Sequence, residues 1–394
     1  MPGGERDLTV AVTGPTGTFG FGLIPLLQAD DRVTRIVGIA RRPFSPAAHG
    51  WTKMEYRRGD VRDPAALRDA FGGADVVVHL AFLVTGVASG QAIREINLVG
   101  TLNAFRAAAG ARRFVYSSSV AAYGFHRDNP VGMTEDWPVR PAARLFYARE
   151  KAELEHLLQA EAAARPAGPV LYLLRPSIVL GPDIVGAKDL LPWPLAPLAR
   201  RLGGRASRLP LPVPALVPML PVQFVHEKDV GQALMLCVVG AGPPGAYNIA
   251  ADGILTAADV ARELGMFALP IPAGPTQAAA RGIAALPFLP PVAQWVEAAS
   301  HPAIMDTTRL SRNWAGHRAS PRWRRCGTPC TGDWDEIDDD GVSGAGDQQV
   351  DDRSDPPAPS EGRPAISADQ AAALLQAEAR SGAQRHDGMI RRTA

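Results

Sequence analysis

Cysteine is scarce in this 394-residue chain: Cys237, Cys326 and Cys330 are the only three. So few cannot build a disulfide framework, and they suit a reducing compartment, so a cytoplasmic location is expected. Cys326 and Cys330 lack the second pair or well-placed histidine that would complete a metal site, and no metal is expected. Long apolar runs are missing too. No uninterrupted segment approaches the ~20 residues needed to span a bilayer. Leu190 to Val225 is rich in apolar residues, but prolines and Arg200, Arg201, Arg205 and Arg208 interrupt it. The polar stretch Met1 to Asp7 leads straight into an expected strand, so no signal peptide is expected. Excess charge of either sign is also absent, the formal net charge being +1. Nucleic acid and anionic membrane therefore gain no general electrostatic hold on the chain. There is no internal repeat. With 46% hydrophobic and 21% charged residues, the chain reads as a soluble protein with a large core and two lobes.

The first half alternates short apolar runs with helical patterns. Leu8 to Val12, Arg35 to Ala40, Met54 to Arg57, Asp75 to Leu80, Arg113 to Ser117 and Val170 to Leu174 read as strands. Phe19 to Ala29, Pro64 to Phe71, Gln91 to Ala109 and Ala142 to Ala164 read as helices. Nearly all-apolar strands alternating with helices mean a parallel sheet covered on both faces. The doubly wound dinucleotide-binding (Rossmann) fold is the natural member of that α/β class. After Arg175 the texture changes, and the proline-rich Leu190 to Pro221 cannot be one long helix. A helix over Asp229 to Val239 and a strand around Ala246 to Ile249 restore the α/β pattern, and Thr256 to Leu264 looks helical with Thr256 as its N-cap. Residues 1–175, with 222–252 returning to them, are thus expected to form the cofactor domain. Residues 176–221 and 253–312 form a discontinuous substrate lobe. From about Asp333 the chain turns acidic and polar, too poor in bulky apolar residues to offset its chain entropy, so disorder is expected there.

Chemistry concentrates in a few places. Gly14, Gly17 and Gly20 follow the first strand and open the first helix, with Thr16, Thr18 and Phe19 between them. Glycine there lets the backbone approach a pyrophosphate, whose charge a helix N-terminus stabilises. The second strand ends in Arg41 and Arg42, where an NAD pocket would place an acidic residue. Their guanidiniums suit a 2′-phosphate, which favours NADP over NAD. Asp60, at the end of the third strand, can accept from an adenine amine while Val61 offers a backbone contact; Asp63 is the better cap for the helix from Pro64. His79, Leu80 and Ala81 end the fourth strand on the edge where open parallel sheets bind ligands, His79 as lining and not as catalyst. Ser117, Ser118 and Ser119 end the fifth strand on the same edge, and a hydroxyl there can bond a substrate oxygen. Tyr147 and Lys151 are four residues apart and share one face of a helix. An ammonium nearby favours the phenolate of a tyrosine that otherwise titrates near ~10.

Taken together these elements resemble the extended short-chain dehydrogenase/reductases, specifically the NAD-dependent epimerase/dehydratase family. The resemblance runs from Leu8 to about Arg312. It rests on Thr13-Gly14-Pro15-Thr16-Gly17-Thr18-Phe19-Gly20, Gly59-Asp60-Val61, Val115 to Ser119 leading to Tyr123-Gly124, Tyr147 with Lys151, Arg175 to Pro182, and Phe224 to Val230. It implies that Tyr147 is the general acid/base, that Lys151 lowers its pKa and holds the nicotinamide ribose, and that Ser119 is the catalytic hydroxyl. It also implies that Pro176, Ser177 and Ile178 lie near the nicotinamide carboxamide, while His226 and Asp229 organise the return to the cofactor domain. Val120 and Ala121 stand where sugar-nucleotide 4,6-dehydratases carry an acidic pair, which argues against that dehydration. Arg175-Pro176-Ser177 looks more like the reductase and hydroxysteroid-dehydrogenase branches. An apolar alcohol or ketone is therefore the expected substrate class, with nucleotide-sugar epimerisation as an alternative and a non-catalytic NAD(P)-binding sensor as a second. Relatives with this helix pair often form homodimers.

The resemblance lapses near Arg312. Members of the family end in Arg-Glu-Leu-Gly-Trp-x-Pro and a short helix, whereas this chain continues Asn313-Trp314-Ala315-Gly316-His317. GC-rich codons read one base earlier give Glu-Leu-Gly-Trp-Thr-Pro-Arg-Phe, the expected ending. Our hypothesis is that a frameshift leaves residues 313–394 aberrant; encoding DNA that cannot yield that reading refutes it.

Overall fold

Apolar residues on both sides of a strand require cover on both sides, and the strand Leu8–Thr13 (β1) has all but Thr9 buried. In this computed structural model the described residues are 6–84, 90–143, 145–180, 214–218, 220–251, 253–256, 258–259, 267–271 and 301–314. After β1 come β2 (Val33–Ala40), β3 (Met54–Arg58), β4 (Val76–His79), β5 (Arg113–Ser117) and β6 (Val170–Pro176). Shorter strands lie further along: β7 (Ile178–Leu180), β8 (Pro214–Pro218), β9 (Pro221–His226), β10 (Gly245–Ile249), β11 (Ile254–Thr256) and β12 (Phe267–Ile271). The helices are α1 (Thr18–Ala29), α2 (Pro64–Phe71), α3 (Gly90–Arg94), α4 (Gly100–Ala107), α5 (Phe146–Ala164), α6 (Glu227–Val238) and α7 (Thr308–Trp314).

Seven strands form one sheet in the order β10-β6-β5-β4-β1-β2-β3, and every pairing in it is parallel. This is the doubly wound α/β fold, with the order reversing between β1 and β4. Successive residues of β1 point to opposite faces. Val10 and Val12 pack with Leu23 and Ile24 of α1 and Val230 and Leu234 of α6. Ala11 packs on the other face, in a layer with Leu67 of α2, Phe105 of α4 and Leu154 of α5. A three-stranded sheet, β11-β9-β7, lies beyond β6, and β12 pairs with β8. Strand β9 belongs to that smaller sheet, while α6 packs on α1 and β10 extends the large sheet.

Local differences from the expected elements have local causes. α5 begins at Phe146 and not at Ala142, because Ala142 and Leu145 are buried against Ala121 and Ala148 and Leu145 is extended. The helical stretch expected from Gln91 to Ala109 is interrupted by a π-turn at Glu95–Val99, where Thr101 Oγ1 donates to the Asn97 carbonyl. Thr256 closes β11 and caps the turn after it: Asp259 N–H donates to Thr256 Oγ1 at 3.2 Å, and Thr256 N–H to Asp259 Oδ2 at 2.8 Å. The remainder of that expected helix, 260–264, lies outside the described residues. So do 181–213, most of the proline-rich insert, and 315–394, which include Cys326, Cys330 and the acidic tail. Asn313 and Trp314 complete α7, and Trp314 stacks on Tyr247 at 4.8 Å.

Candidate active site

Parallel pairing puts the carboxyl ends of all seven large-sheet strands on one edge, and the reversal between β1 and β4 opens a crevice there. The loop after β1 makes its floor. Gly14 adopts φ +67, and a Cβ there would lie 3.0 Å from the Ala81 backbone; a Cβ on Gly20 would lie 2.1 Å from the Pro15 carbonyl oxygen. Gly17 is the N-cap of α1, with no side-chain hydrogen bond to the helix and no acidic residue in the first turn. The positive end of a 12-residue helix dipole therefore points at this loop without an acidic side chain in its first turn. Thr16, Thr18 and Phe19 lie in this loop and the first turn of α1.

Arg41 and Arg42 follow β2 with exposed side chains. Their backbone is fixed: the Arg41 carbonyl accepts from Arg58 Nε at 3.1 Å, and the Arg42 carbonyl from the Tyr56 hydroxyl. Asp60 is engaged by Arg62, whose Nη2 lies 2.8 Å from Oδ2, and that guanidinium holds its carboxyl below the usual range. Asp63, as expected, caps α2 by accepting from Ala65 and Ala66. Val61 is buried, and a Cβ on Gly100 would strike it at 2.4 Å.

His79 does not line the crevice. It is 1% exposed, with Nδ1 2.8 Å from Thr13 Oγ1 and Nε2 2.9 Å from Thr101 Oγ1. Since Thr101 donates its own proton to the Asn97 carbonyl, Nε2 carries the ring proton and Nδ1 accepts from Thr13. Thr13 Oγ1 in turn accepts from the Leu80 and Ala81 amides at 3.2 Å each. Burial pushes His79 down to about 3, so it is neutral. The relay holds Leu80 and Ala81 against the glycine loop.

The serines and α5 meet at the centre of the edge. Ser119 caps a short 3₁₀ turn, Val120–Tyr123, by accepting the Ala121 amide on its hydroxyl at 3.2 Å. Burial raises the Tyr147 pKa, and the nearby Ser119 hydroxyl opposes the rise. One helical turn on, Lys151 is 4% exposed and its Nζ donates to the Ser117 carbonyl at 2.6 Å. Burial pushes the ammonium down to about 7, against the pull of Glu155 and Glu150. Ser118 is structural, donating to Glu155. Pro176 ends β6, Ser177 is buried with its amide on the Ile249 carbonyl at 2.9 Å, and Ile178 is 48% exposed. The Ser117 and Ser177 hydroxyls are buried with no partner among the protein atoms. His226 caps α6, accepting from the Lys228 amide at 3.1 Å.

Sequence reasoning missed the frame behind these groups. Glu155 and Arg175 form a forked, buried ion pair, 1% and 3% exposed. Arg175 also donates to the Tyr123 hydroxyl at 2.6 Å, which donates to Asn248 Oδ1 at 2.8 Å. Asn97, fully buried, clamps Leu83 through both its amide and its carbonyl and donates to Glu150. An arginine at the end of the apolar β6 and an asparagine in the run Glu95–Val99 were the available signal. Among the described residues, no cluster of three or more metal-binding side chains forms, and no helix is long and apolar enough to cross a membrane.

The chain is similar to several known proteins. An uncharacterised protein of Mycobacterium tuberculosis is 28% identical over 328 residues, 80% of each chain. Sterol demethylase protein B of Methylococcus capsulatus is 34% identical over 181 residues, 44% of this chain and 52% of that one. MoeE5, solved in complex with UDP-glucuronic acid and NAD, superposes with a TM-score of 0.53 at 25% identity, over 67% of this chain and 85% of its own. Residues 10–250 match the NAD dependent epimerase/dehydratase family, and with the fold and the glycine loop this places the chain in that family.

Proposed function

We propose that this protein is an NAD(P)-dependent oxidoreductase or epimerase that acts on a secondary alcohol or ketone with Tyr147 as its acid/base. The observation that carries the reading is that Tyr147 and Lys151 stand one helical turn apart on α5, at the end of the strand that carries the serines, with Lys151 Nζ on the Ser117 carbonyl at 2.6 Å. When bound, the nicotinamide supplies or accepts the hydride. Tyr147 Oη moves the proton of the substrate hydroxyl, Ser119 orients the substrate oxygen, and the Lys151 charge favours the phenolate. Arg41 and Arg42 favour a 2′-phosphate and hence NADP, although MoeE5 was solved with NAD. An apolar substrate is supported by the exposed Ile178 and Leu180 of β7 and by the likeness to a sterol demethylase component. Nucleotide-sugar epimerisation is the second reading, supported by the UDP-glucuronic acid bound to MoeE5.

The test is a screen of apolar alcohols and ketones against sugar nucleotides, following nicotinamide absorbance. Net oxidation or reduction identifies a reductase, and isomerisation without net absorbance change identifies an epimerase. A fully active Tyr147→Phe protein overturns the acid/base assignment and leaves a cofactor-binding sensor.

A further inference from the structure

Phe82 has no part in that proton path, yet its ring touches both Tyr147 and Lys151. The Lys151 ammonium stands 3.7 Å from the centroid of the Phe82 ring, against 4.8 Å for Tyr116 and 5.8 Å for Tyr147. The same ring meets Tyr147 edge-on, with centroids 5.6 Å apart and planes at 88°. Its placement is built. Ala81 on one side donates its amide to Thr13 Oγ1, and Leu83 on the other exchanges two hydrogen bonds with Asn97. Asn97 also donates to Glu150, the residue before Lys151, at 2.7 Å. One buried side chain thus sets both the loop that carries the ring and the helix that carries the amine.

We propose that Phe82 is a positioning residue for Lys151: its ring face seats the ammonium and sets how much positive charge is presented to Tyr147. The charged and titratable groups around the amine are few. On its own helix, Glu155 is committed to Arg175 and Ser118, and Glu150 to Asn97. His79 of β4 is neutral, and Tyr116 of β5 and Tyr147 present rings. Among the described residues, beyond the Ser117 carbonyl, the electron-rich face of Phe82 is the nearest ring to the buried charge. Such a contact, desolvated, shifts a protonation equilibrium by more than about tenfold. Because burial brings Lys151 down to about 7, that factor falls where the amine's charge state is decided near neutral pH.

The catalytic meaning of this assignment rests on the acid/base reading of Tyr147; its test does not. The chain has four lysines, Lys53, Lys151, Lys188 and Lys228. A ¹³C-lysine NMR titration of the full-length protein, with Lys151 assigned by Lys151→Arg, therefore reads the amine directly without substrate. Phe82→Leu keeps the bulk and removes the ring face; it should lower the Lys151 midpoint by ~1–1.5 pH units. Phe82→Tyr should restore the midpoint, and the other three lysines should not move. In the unmodified protein the Lys151 ε-protons should be shifted upfield by the ring, which decides the matter if Phe82→Leu fails to fold. A Lys151 midpoint unchanged in Phe82→Leu, or ε-protons at their ordinary shift, overturns the proposal. A midpoint that moves while Tyr147→Phe remains active leaves the seating intact and refutes the acid/base reading instead.

Discussion

Ser119 Oγ accepts the Ala121 amide at 3.2 Å, and its hydroxyl opposes the burial-driven rise of the Tyr147 pKa. Losing it removes one hydrogen bond but leaves the proton path. Tyr147→Phe should therefore cost ~10²–10⁴ in turnover with cofactor affinity nearly unchanged, and Ser119→Ala should cost less. Lys151→Ala should lose both rate and cofactor affinity in steady-state and binding assays. Replacing Arg41 and Arg42 together by Ala should weaken NADP(H) selectively by about 1–3 kcal/mol, read by fluorescence titration; equal binding of both cofactors by the unmodified protein would remove the preference. His79 supplies a prediction on pH. Its folded pKa of about 3 lies below the ordinary 6.5, so the unfolded chain binds the proton more readily in between. Its contribution is intact above pH ~6.5 and is lost as pH falls toward 3. Between pH 7 and pH 5 denaturant unfolding should lose about 2 kcal/mol that a His79→Gln protein does not lose.

Elements meet here through absent side chains. α1 and α6 cross at Gly22 and Gly231, where a Cβ on Gly231 would sit 2.1 Å from the Gly22 carbonyl oxygen. Gly231→Ala must push the helices apart, and should cost about 1–3 kcal/mol in urea unfolding. Gly90, at the start of α3, has no positive φ, and a Cβ there would meet nothing within 4 Å. Gly90→Ala should leave stability unchanged or slightly raised. The two substitutions are chemically identical, so equal effects would refute the packing argument. The helix content of this region was legible from periodicity, but the crossing was not, because a glycine inside a helix looks like a weakness until its neighbour is known.

Across the molecule, one buried polar chain joins distant segments. Glu155 of α5, Arg175 of β6, Tyr123 after β5 and Asn248 of β10 are linked in series, and Asn248 donates onward to the Met133 and Asp306 carbonyls. Arg175→Met strands a buried carboxylate and should cost about 3–5 kcal/mol, read as a lower denaturation midpoint. Replacing Glu155 by Leu in the same protein should recover part of that loss, since no uncompensated charge remains. If the double variant is as unstable as the single one, the cost lies in packing and not in charge.

The class of fold follows from the sequence pattern alone, and so do the local spacings of the candidate site. Apolar strands spaced by helical patterns admit little but a covered parallel sheet, and Gly14-x-x-Gly17-x-x-Gly20 and Tyr147-x-x-x-Lys151 are local spacings that one loop and one helix realise unaided. Tertiary structure alone decided that His79 is core and not lining, that α5 starts at Phe146, and that Phe82 lies on Lys151. It also decided that Arg175 answers Glu155 across 20 residues of chain. Those outcomes depend on which groups become neighbours after the sheet closes, where burial sets both the cost of a charge and the partner that relieves it.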